Sequence, residues 1–151
     1  MIQLTKIFYF EAAHAIQGYD GACRHIHGHS YKLQVTVAPI HNNDNFIPAP
    51  GFVMDFKEIK KLVMQHVINK FDHKLILSES FLSSYPHHTQ QENLVKWPFE
   101  PTAENMLLYS RSCLAAVLPE EVKLLRLKIW ETNNSYAEWT DANNFTQAGS
   151  N

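Results

Sequence analysis

Three histidines near the start of the chain have the residue type and the spacing of a metal site. His27 and His29 are separated by one glycine in the run C-R-H-I-H-G-H, residues 23–29, and His14 precedes that run. On a strand His27 and His29 project to one side, with Cα atoms about 6.5 Å apart. Two such imidazoles can reach one ion at about 2.0–2.1 Å per Zn–N bond, and His14 on a neighbouring strand supplies a third ligand. The pattern predicts a zinc site whose fourth position is open to substrate. The alternative is a surface histidine cluster beside a core histidine.

Cys23 has two interpretations. As a fourth ligand it would close the site into a structural Cys-His₃ centre. As a thiolate near positive charge, including that of Arg24, it would act as an acid/base group beside the metal. The spacing leaves both open. His25 is left out of the predicted site. The remaining histidines are interpreted as ordinary loop or helix-border residues: His41, His66, His87 and His88.

The elements that must position these residues follow the order ββααββ. Alternating apolar residues predict strands, and the last two are joined by a turn at Asn133-Asn134. Helices are predicted to begin behind the caps Asp55 and Thr102 and to end near Asn69 and Leu118. The predicted strands cover residues 2–15, 27–39, 122–132 and 135–140. We therefore predict an α+β fold, a four-stranded antiparallel sheet with two helices on one face.

Residues 78–100 show no firm periodicity, and we predict a long insertion loop there with a role in the site or in assembly. Residues 141–151 are predicted to be a tail, and the whole chain, 1–151, to be a single domain.

Composition narrows the classes of function. The chain has 151 residues, is 45% hydrophobic and carries a formal net charge of −2, so it lacks the basic excess typical of nucleic-acid binding. No run approaches the roughly 18 apolar residues of a membrane span, and the N-terminus does not resemble a signal peptide. We expect a cytoplasmic protein that binds neither nucleic acid nor membrane, with Cys23 and Cys113 as free thiols.

Several short motifs, taken together, resemble the 6-pyruvoyl-tetrahydropterin synthase family. They run in order from about Ile2 to Thr140. The gap between Cys23 and His27 is most similar to that of the 6-carboxy-tetrahydropterin synthase branch, which serves queuosine biosynthesis, whereas Leu77 stands where many relatives have Asn. The motifs are F-x-A-A-H (10–14), C-x₃-H-G-H (23–29), M-D-F (54–56), D-H-K (72–74), P-T-x-E-N (101–105) and E-T-N-N (131–134).

The resemblance implies a tunnelling fold (T-fold), in which trimeric barrels stack as a homohexamer with active sites at subunit interfaces. It implies that His14, His27 and His29 bind zinc and that Cys23 is the general base. Asp72 and His73 would form an acid/base relay, and Glu131, assisted by Thr102, would anchor the pterin ring.

The strand pattern agrees with the binding role that the resemblance implies for Glu131. Glu131 ends an otherwise apolar strand face, where a carboxylate needs hydrogen-bond donors such as the N–H groups of a pterin edge. An Arg or Lys partner is the alternative.

The implied reaction converts 7,8-dihydroneopterin triphosphate to 6-carboxy-5,6,7,8-tetrahydropterin with release of acetaldehyde and triphosphate. Triphosphate elimination to a 6-pyruvoyl product is the alternative within the family. Two further alternatives are a non-catalytic, metal-stabilised assembly module and a pterin-binding protein that has lost catalysis.

Overall fold

A computed structural model describes residues 2–41 and 46–142, so the predicted tail lies outside the described residues from residue 143 onward. The strands are β1 (Leu4–His14), β2 (His27–Pro39), β3 (Lys74–Ser78), β4 (Leu94–Trp97), β5 (Val122–Thr132) and β6 (Ser135–Thr140). The helices are α1 (Phe56–Val63), α2 (Asn69–Phe71), α3 (Glu79–Ser84) and α4 (Ala103–Ala115). A π-helical turn (Met64–Ile68) joins α1 to α2, and 3₁₀ turns cover Ala22–Arg24 and Pro86–Gln90.

All six strands form one sheet in the order β4-β3-β1-β2-β5-β6. The four predicted strands are antiparallel neighbours, and the α+β class is confirmed. The predicted number of strands was wrong, because β3 and β4 join the sheet as well. The prediction of a purely antiparallel sheet was also wrong, because β3 pairs in parallel with both β1 and β4. These two strands have five and four residues, too few to show a clear alternation in the sequence.

The segment 78–100 is not an irregular loop. Ser78 caps α3 by accepting a hydrogen bond from the Phe81 N–H, and the chain then passes through a 3₁₀ turn into β4. Helix and strand together form the crossover that a parallel β3–β4 pair requires. The sequence prediction failed here because the pairing that organises this segment is not local.

Apolar side chains on one face of the sheet form the main core beneath α1 and α4. Phe8, Tyr31, Leu33 and Leu127 belong to it. The helices contribute Ile59, Val63, Met106 and Leu114. The two predicted helices therefore cover the same face, as expected.

A second, smaller cluster contains Leu75, Leu77, Phe81 and Leu82. Because Ile76 belongs to the main core and its neighbours on β3 do not, α3 covers the opposite face of the sheet. Leu77, the departure from the family pattern, is fully buried in this cluster. Within the described residues, no helix is long and apolar enough to cross a membrane.

Candidate active site

The pairing of β1 with β2 brings the three histidines together. His14, the last residue of β1, lies directly opposite His27, the first of β2, and His29 lies opposite Ala12. Residues opposite each other in an antiparallel pair share a face of the sheet. Between the two ligands on β2, a Cβ at Gly28 would lie 3.3 Å from the Ala12 carbonyl oxygen, so this close strand approach favours glycine.

The ring nitrogens of His14, His27 and His29 are arranged to bind one metal ion. One ligand atom from each lies within 4.8 Å of the others, and the Nε2 atoms of His14 and His27 are 3.2 Å apart. At bonds of about 2.0–2.1 Å, two tetrahedral ligands of one zinc ion lie about 3.3 Å apart. The donor set and its spacing therefore fit the metal.

Backbone carbonyls fix the tautomers of two of these rings. His14 Nδ1 lies 2.6 Å from the Pro101 oxygen, and His27 Nδ1 lies 2.8 Å from the His25 oxygen. Because a carbonyl can only accept, each Nδ1 carries the proton and each Nε2 keeps the lone pair that binds a metal. Burial also lowers the pKa of His14 and of His29, which favours the neutral, ligating form.

A cavity of about 390 Å³ begins at His14, and we call it the His14 cavity. Cys23, Thr102, Glu131 and Tyr136 are among the residues that line it. Four of the predicted site residues therefore line one cavity: His14, Cys23, Thr102 and Glu131. Cys23 does not belong to the group of ligand atoms, so three histidines would leave a coordination position free.

Tyr31 connects the histidines to Glu131. Its hydroxyl lies 3.4 Å from Glu131 Oε1 and 3.5 Å from His14 Nε2, and the Glu131 oxygen lies 3.8 Å from that same nitrogen. Burial raises the pKa of Tyr31, and the Glu131 carboxylate raises it further. The phenol therefore stays protonated and donates to Glu131, which fixes the carboxylate at the edge of the cavity.

Thr102 is both a helix cap and a cavity residue. Its Oγ1 accepts a hydrogen bond from the Asn105 N–H at 3.3 Å, which confirms the predicted cap of α4. The hydroxyl proton is not used by that bond and can be donated into the His14 cavity.

Asp72 and His73 form a close pair, but they do not line the His14 cavity. His73 Nδ1 lies 3.0 Å from Asp72 Oδ1, which also accepts the Glu11 backbone N–H at 3.0 Å. That N–H, with a further contribution from His73, holds the pKa of Asp72 below its usual range. His73 instead lines a separate cleft of about 400 Å³ with His29 and Lys74, which we call the His73 cleft.

The backbone at His73 is unusual. Its φ of 58° lies in the left-handed region, which few residues other than glycine adopt. Its N–H donates to the Glu11 oxygen at 2.6 Å, so pairing with β1 maintains the conformation. Such strain concentrates at functional sites, and it supports a role for this histidine.

Comparison with known proteins decides the family. The 6-pyruvoyl tetrahydropterin synthase family matches residues 3–142. The chain belongs to this family. Its members are lyase-type enzymes, and this chain is an enzyme of the tetrahydropterin synthase type.

Two curated relatives illustrate the range of activities. The 6-carboxy-5,6,7,8-tetrahydropterin synthase of Rickettsia bellii is 34% identical over 143 residues, covering 91% of this chain and 99% of that protein. The dihydroneopterin monophosphate aldolase of Pyrococcus furiosus is 32% identical over 124 residues, covering 82% and 84%.

Solved structures of the family confirm the T-fold of this synthase-type enzyme. The Caenorhabditis elegans 6-pyruvoyl tetrahydropterin synthase superposes with a TM-score of 0.65 at 21% identity, over 93% of this chain and 96% of that one. A Plasmodium vivax 6-pyruvoyltetrahydropterin synthase gives 0.66 at 18%, over 93% and 99%.

Sequence reasoning about this synthase-type enzyme missed the position of Tyr31. The alternation of β2 identified it as a core residue, which its complete burial confirms, but not as a partner of Glu131. A signal was present, because Tyr31 follows His29 by two residues and shares its strand face. A tyrosine in that place carries a polar group to the end of the apolar core.

Proposed function

We propose that this enzyme is a zinc-dependent lyase that converts 7,8-dihydroneopterin triphosphate to 6-carboxy-5,6,7,8-tetrahydropterin, releasing acetaldehyde and triphosphate. One observation carries the proposal: the imidazole of the candidate metal ligand His14, the Cys23 thiol and the Glu131 carboxylate line the same cavity. The six-motif resemblance and the similarity to relatives named for the 6-carboxy product support it. The product would serve queuosine biosynthesis.

His14, His27 and His29 would hold the zinc ion. When bound, the metal supplies a Lewis acid that polarises a substrate oxygen. The protein's own contribution is to keep each ring in the ligating tautomer and to leave a free position toward the His14 cavity.

Glu131 would recognise the pterin ring. Its carboxylate can accept two adjacent N–H groups of the ring edge, a bidentate contact that is stronger than a neutral hydrogen bond. The Tyr31 hydroxyl donates to one Glu131 oxygen and holds it in place. The Thr102 hydroxyl would donate its proton to the bound pterin. Glu131, Tyr31 and Thr102 together would determine where the pterin ring lies.

Cys23 would act as the general base that removes a carbon-bound proton from the side chain of the substrate, and the Asp72–His73 pair would move the second proton. Because the pair does not line the His14 cavity of its own chain, we propose that it completes the site of a neighbouring subunit. The assembly would be a homohexamer, a dimer of trimers.

A product assay with metal analysis on the same preparation tests the proposal. We expect stoichiometric acetaldehyde and triphosphate, with about one zinc per chain. Triphosphate release with a pyruvoyl product and no acetaldehyde would assign the enzyme to the pyruvoyl branch instead.

The aldolase relative supplies a second candidate that the same assay can separate. An enzyme with that activity would act on dihydroneopterin monophosphate in preference to the triphosphate. We expect the triphosphate to be the better substrate.

The two non-catalytic alternatives have less support. An assembly module requires a closed Cys-His₃ centre, whereas Cys23 is not part of the ligand group. The hints of lost catalysis were Leu77 and the segment 78–100, and both have structural roles, in the smaller core and in the β3–β4 crossover.

A further inference from the structure

A third cavity, of about 690 Å³, is lined in part by the residues that directly follow Cys23, and we call it the Arg24 cleft. It is lined by Arg24 and three histidines that the metal site does not use, with aromatic rings behind them. Among its lining residues are Arg24, His25, Phe81, Tyr85, His87 and His88. No Asp or Glu is among the lining residues, so the cleft presents hydrogen-bond donors and positive charge without a competing carboxylate.

Arg24 is positioned to bind an anion. Its Nε–H donates to His25 Nε2 at 3.1 Å, which orients the guanidinium. Within the described part of the chain, no hydrogen bond from its terminal amino groups is seen. Those groups form the planar pair of donors that matches two oxygens of a phosphate.

The two neighbouring imidazoles are held by ring contacts. The His87 and His88 rings lie 4.1 Å apart between centroids, His88 packs 5.8 Å from Phe81, and His87 packs 6.5 Å from Tyr85. Phe81 is buried in the smaller core. The His88 imidazole therefore packs against a buried side chain, which lowers the entropic cost of binding a ligand through it.

The Arg24 cleft and the His14 cavity are lined by neighbouring residues of the chain. Cys23 lines the His14 cavity and Arg24, the next residue, lines the cleft, so their Cα atoms are about 3.8 Å apart. His25, another cleft residue, holds the His27 ring through its carbonyl oxygen. Consecutive residues of the chain therefore line the His14 cavity and the Arg24 cleft.

We propose that the Arg24 cleft binds the phosphate chain of the substrate, with Arg24, His87 and His88 as its donors. The inference rests on the proposed function, since that function supplies a substrate with three phosphates. It assigns a role to the segment 78–100, because the 3₁₀ turn that follows α3 carries the two histidines.

The test compares two fluorescent ligands on the zinc-loaded enzyme. Neopterin triphosphate and neopterin share the ring and differ in the phosphates, so the ratio of their dissociation constants reports the phosphate contacts alone. We expect the wild type to bind the triphosphate at least about a hundredfold more tightly, since charge-assisted contacts are the strong ones. In the His87→Ala/His88→Ala variant this ratio should fall about tenfold or more, with neopterin binding and zinc content unchanged.

Arg24→Gln provides an independent variant and should lower the same ratio. His41→Ala, which removes an exposed histidine outside the cleft, is the matched control and should leave the ratio unaltered. An unchanged ratio in both cleft variants would refute the assignment. A wild-type ratio near one would also refute it, because the phosphates would then contribute nothing to binding.

The two proposals fail separately. If the ratio falls in the variants while no acetaldehyde forms, the phosphate site stands and the assigned product is wrong. If acetaldehyde forms and the ratio does not change, the product stands and the phosphate site is elsewhere.

Discussion

At the scale of single residues, the site is defined by which atom of each side chain remains free. His14 and His27 each use Nδ1 on a carbonyl oxygen, so only Nε2 can bind a metal. Thr102 uses its oxygen lone pair on the helix and keeps its proton. Tyr31 remains protonated and can only donate to Glu131. Each group is left with one chemical option, which is what a preorganised site requires.

The first prediction concerns Cys23. Cys23→Ala should retain about one zinc per chain and lose turnover by roughly 10²–10⁴-fold, the usual range for removal of a general base. His29→Ala is the matched comparison, because it removes a ligand and should lose both zinc and turnover. Zinc content measured by atomic absorption, together with kcat, distinguishes the two variants. Loss of zinc from Cys23→Ala would make the cysteine a ligand.

The second prediction concerns Tyr31. Tyr31→Phe removes the hydroxyl that holds Glu131 but keeps the ring, which stacks on Phe10 at 4.9 Å between centroids. We expect KM to rise about tenfold, bound zinc to stay constant and stability to fall by about 1 kcal/mol. Tyr9→Phe, at an exposed position on the other face of the sheet, is the control and should change none of these. A change in zinc content with KM unaltered would place Tyr31 in metal binding only.

At the scale of elements, the β1–β2 pair and the start of α4 determine the site. The strand register places His14 opposite His27, and α4 delivers Thr102 and the Pro101 carbonyl. One helix terminus therefore contributes to both the candidate metal site and the cavity wall. A helix cap in this position has a structural and a functional effect, which can be separated by comparison with a cap elsewhere.

The third prediction makes that comparison. Asp55 caps α1 by accepting the Lys57 N–H at 2.8 Å, and it does not line the His14 cavity. Thr102→Ala and Asp55→Ala should each lower the free energy of unfolding by about 1 kcal/mol, as loss of a cap does. Only Thr102→Ala should also raise KM, which urea unfolding and steady-state kinetics on both variants will show. Equal KM values would leave Thr102 with a structural role alone.

At the scale of the whole molecule, the predicted site residues do not all line one cavity. Cys23 and Glu131 line the His14 cavity, whereas His73 lines the His73 cleft. A homo-oligomer can resolve this division if the cleft of one subunit meets the cavity of the next. The arrangement of the chain alone thus leads to a prediction about assembly.

The fourth prediction tests it by complementation. Cys23→Ala and His73→Ala homo-oligomers should each be inactive. Oligomers formed by co-expression should regain about a quarter of wild-type activity, because random mixing gives that fraction of sites with both groups intact. Separately purified variants mixed without subunit exchange are the control and should stay inactive. No recovery in the co-expressed oligomers would mean that each site takes both residues from one chain.

From the sequence alone we could predict the long strands, the two capped helices and the trio of histidines. These features depend on alternation, capping and one strand pairing, all of which act between near neighbours in the chain. The roles of Cys23, Asp72, His73 and Glu131 stay predictions.

The other features became visible only in the folded chain, because they depend on residues far apart in the sequence. The short parallel strands β3 and β4 have no local pattern of their own. The His14–Pro101 contact spans 87 residues and the Tyr31–Glu131 contact spans 100. The separation of His73 from the His14 cavity follows from the place of β3 on the far side of β1. Contacts over such distances are set by how the whole sheet assembles, which no short stretch of sequence encodes.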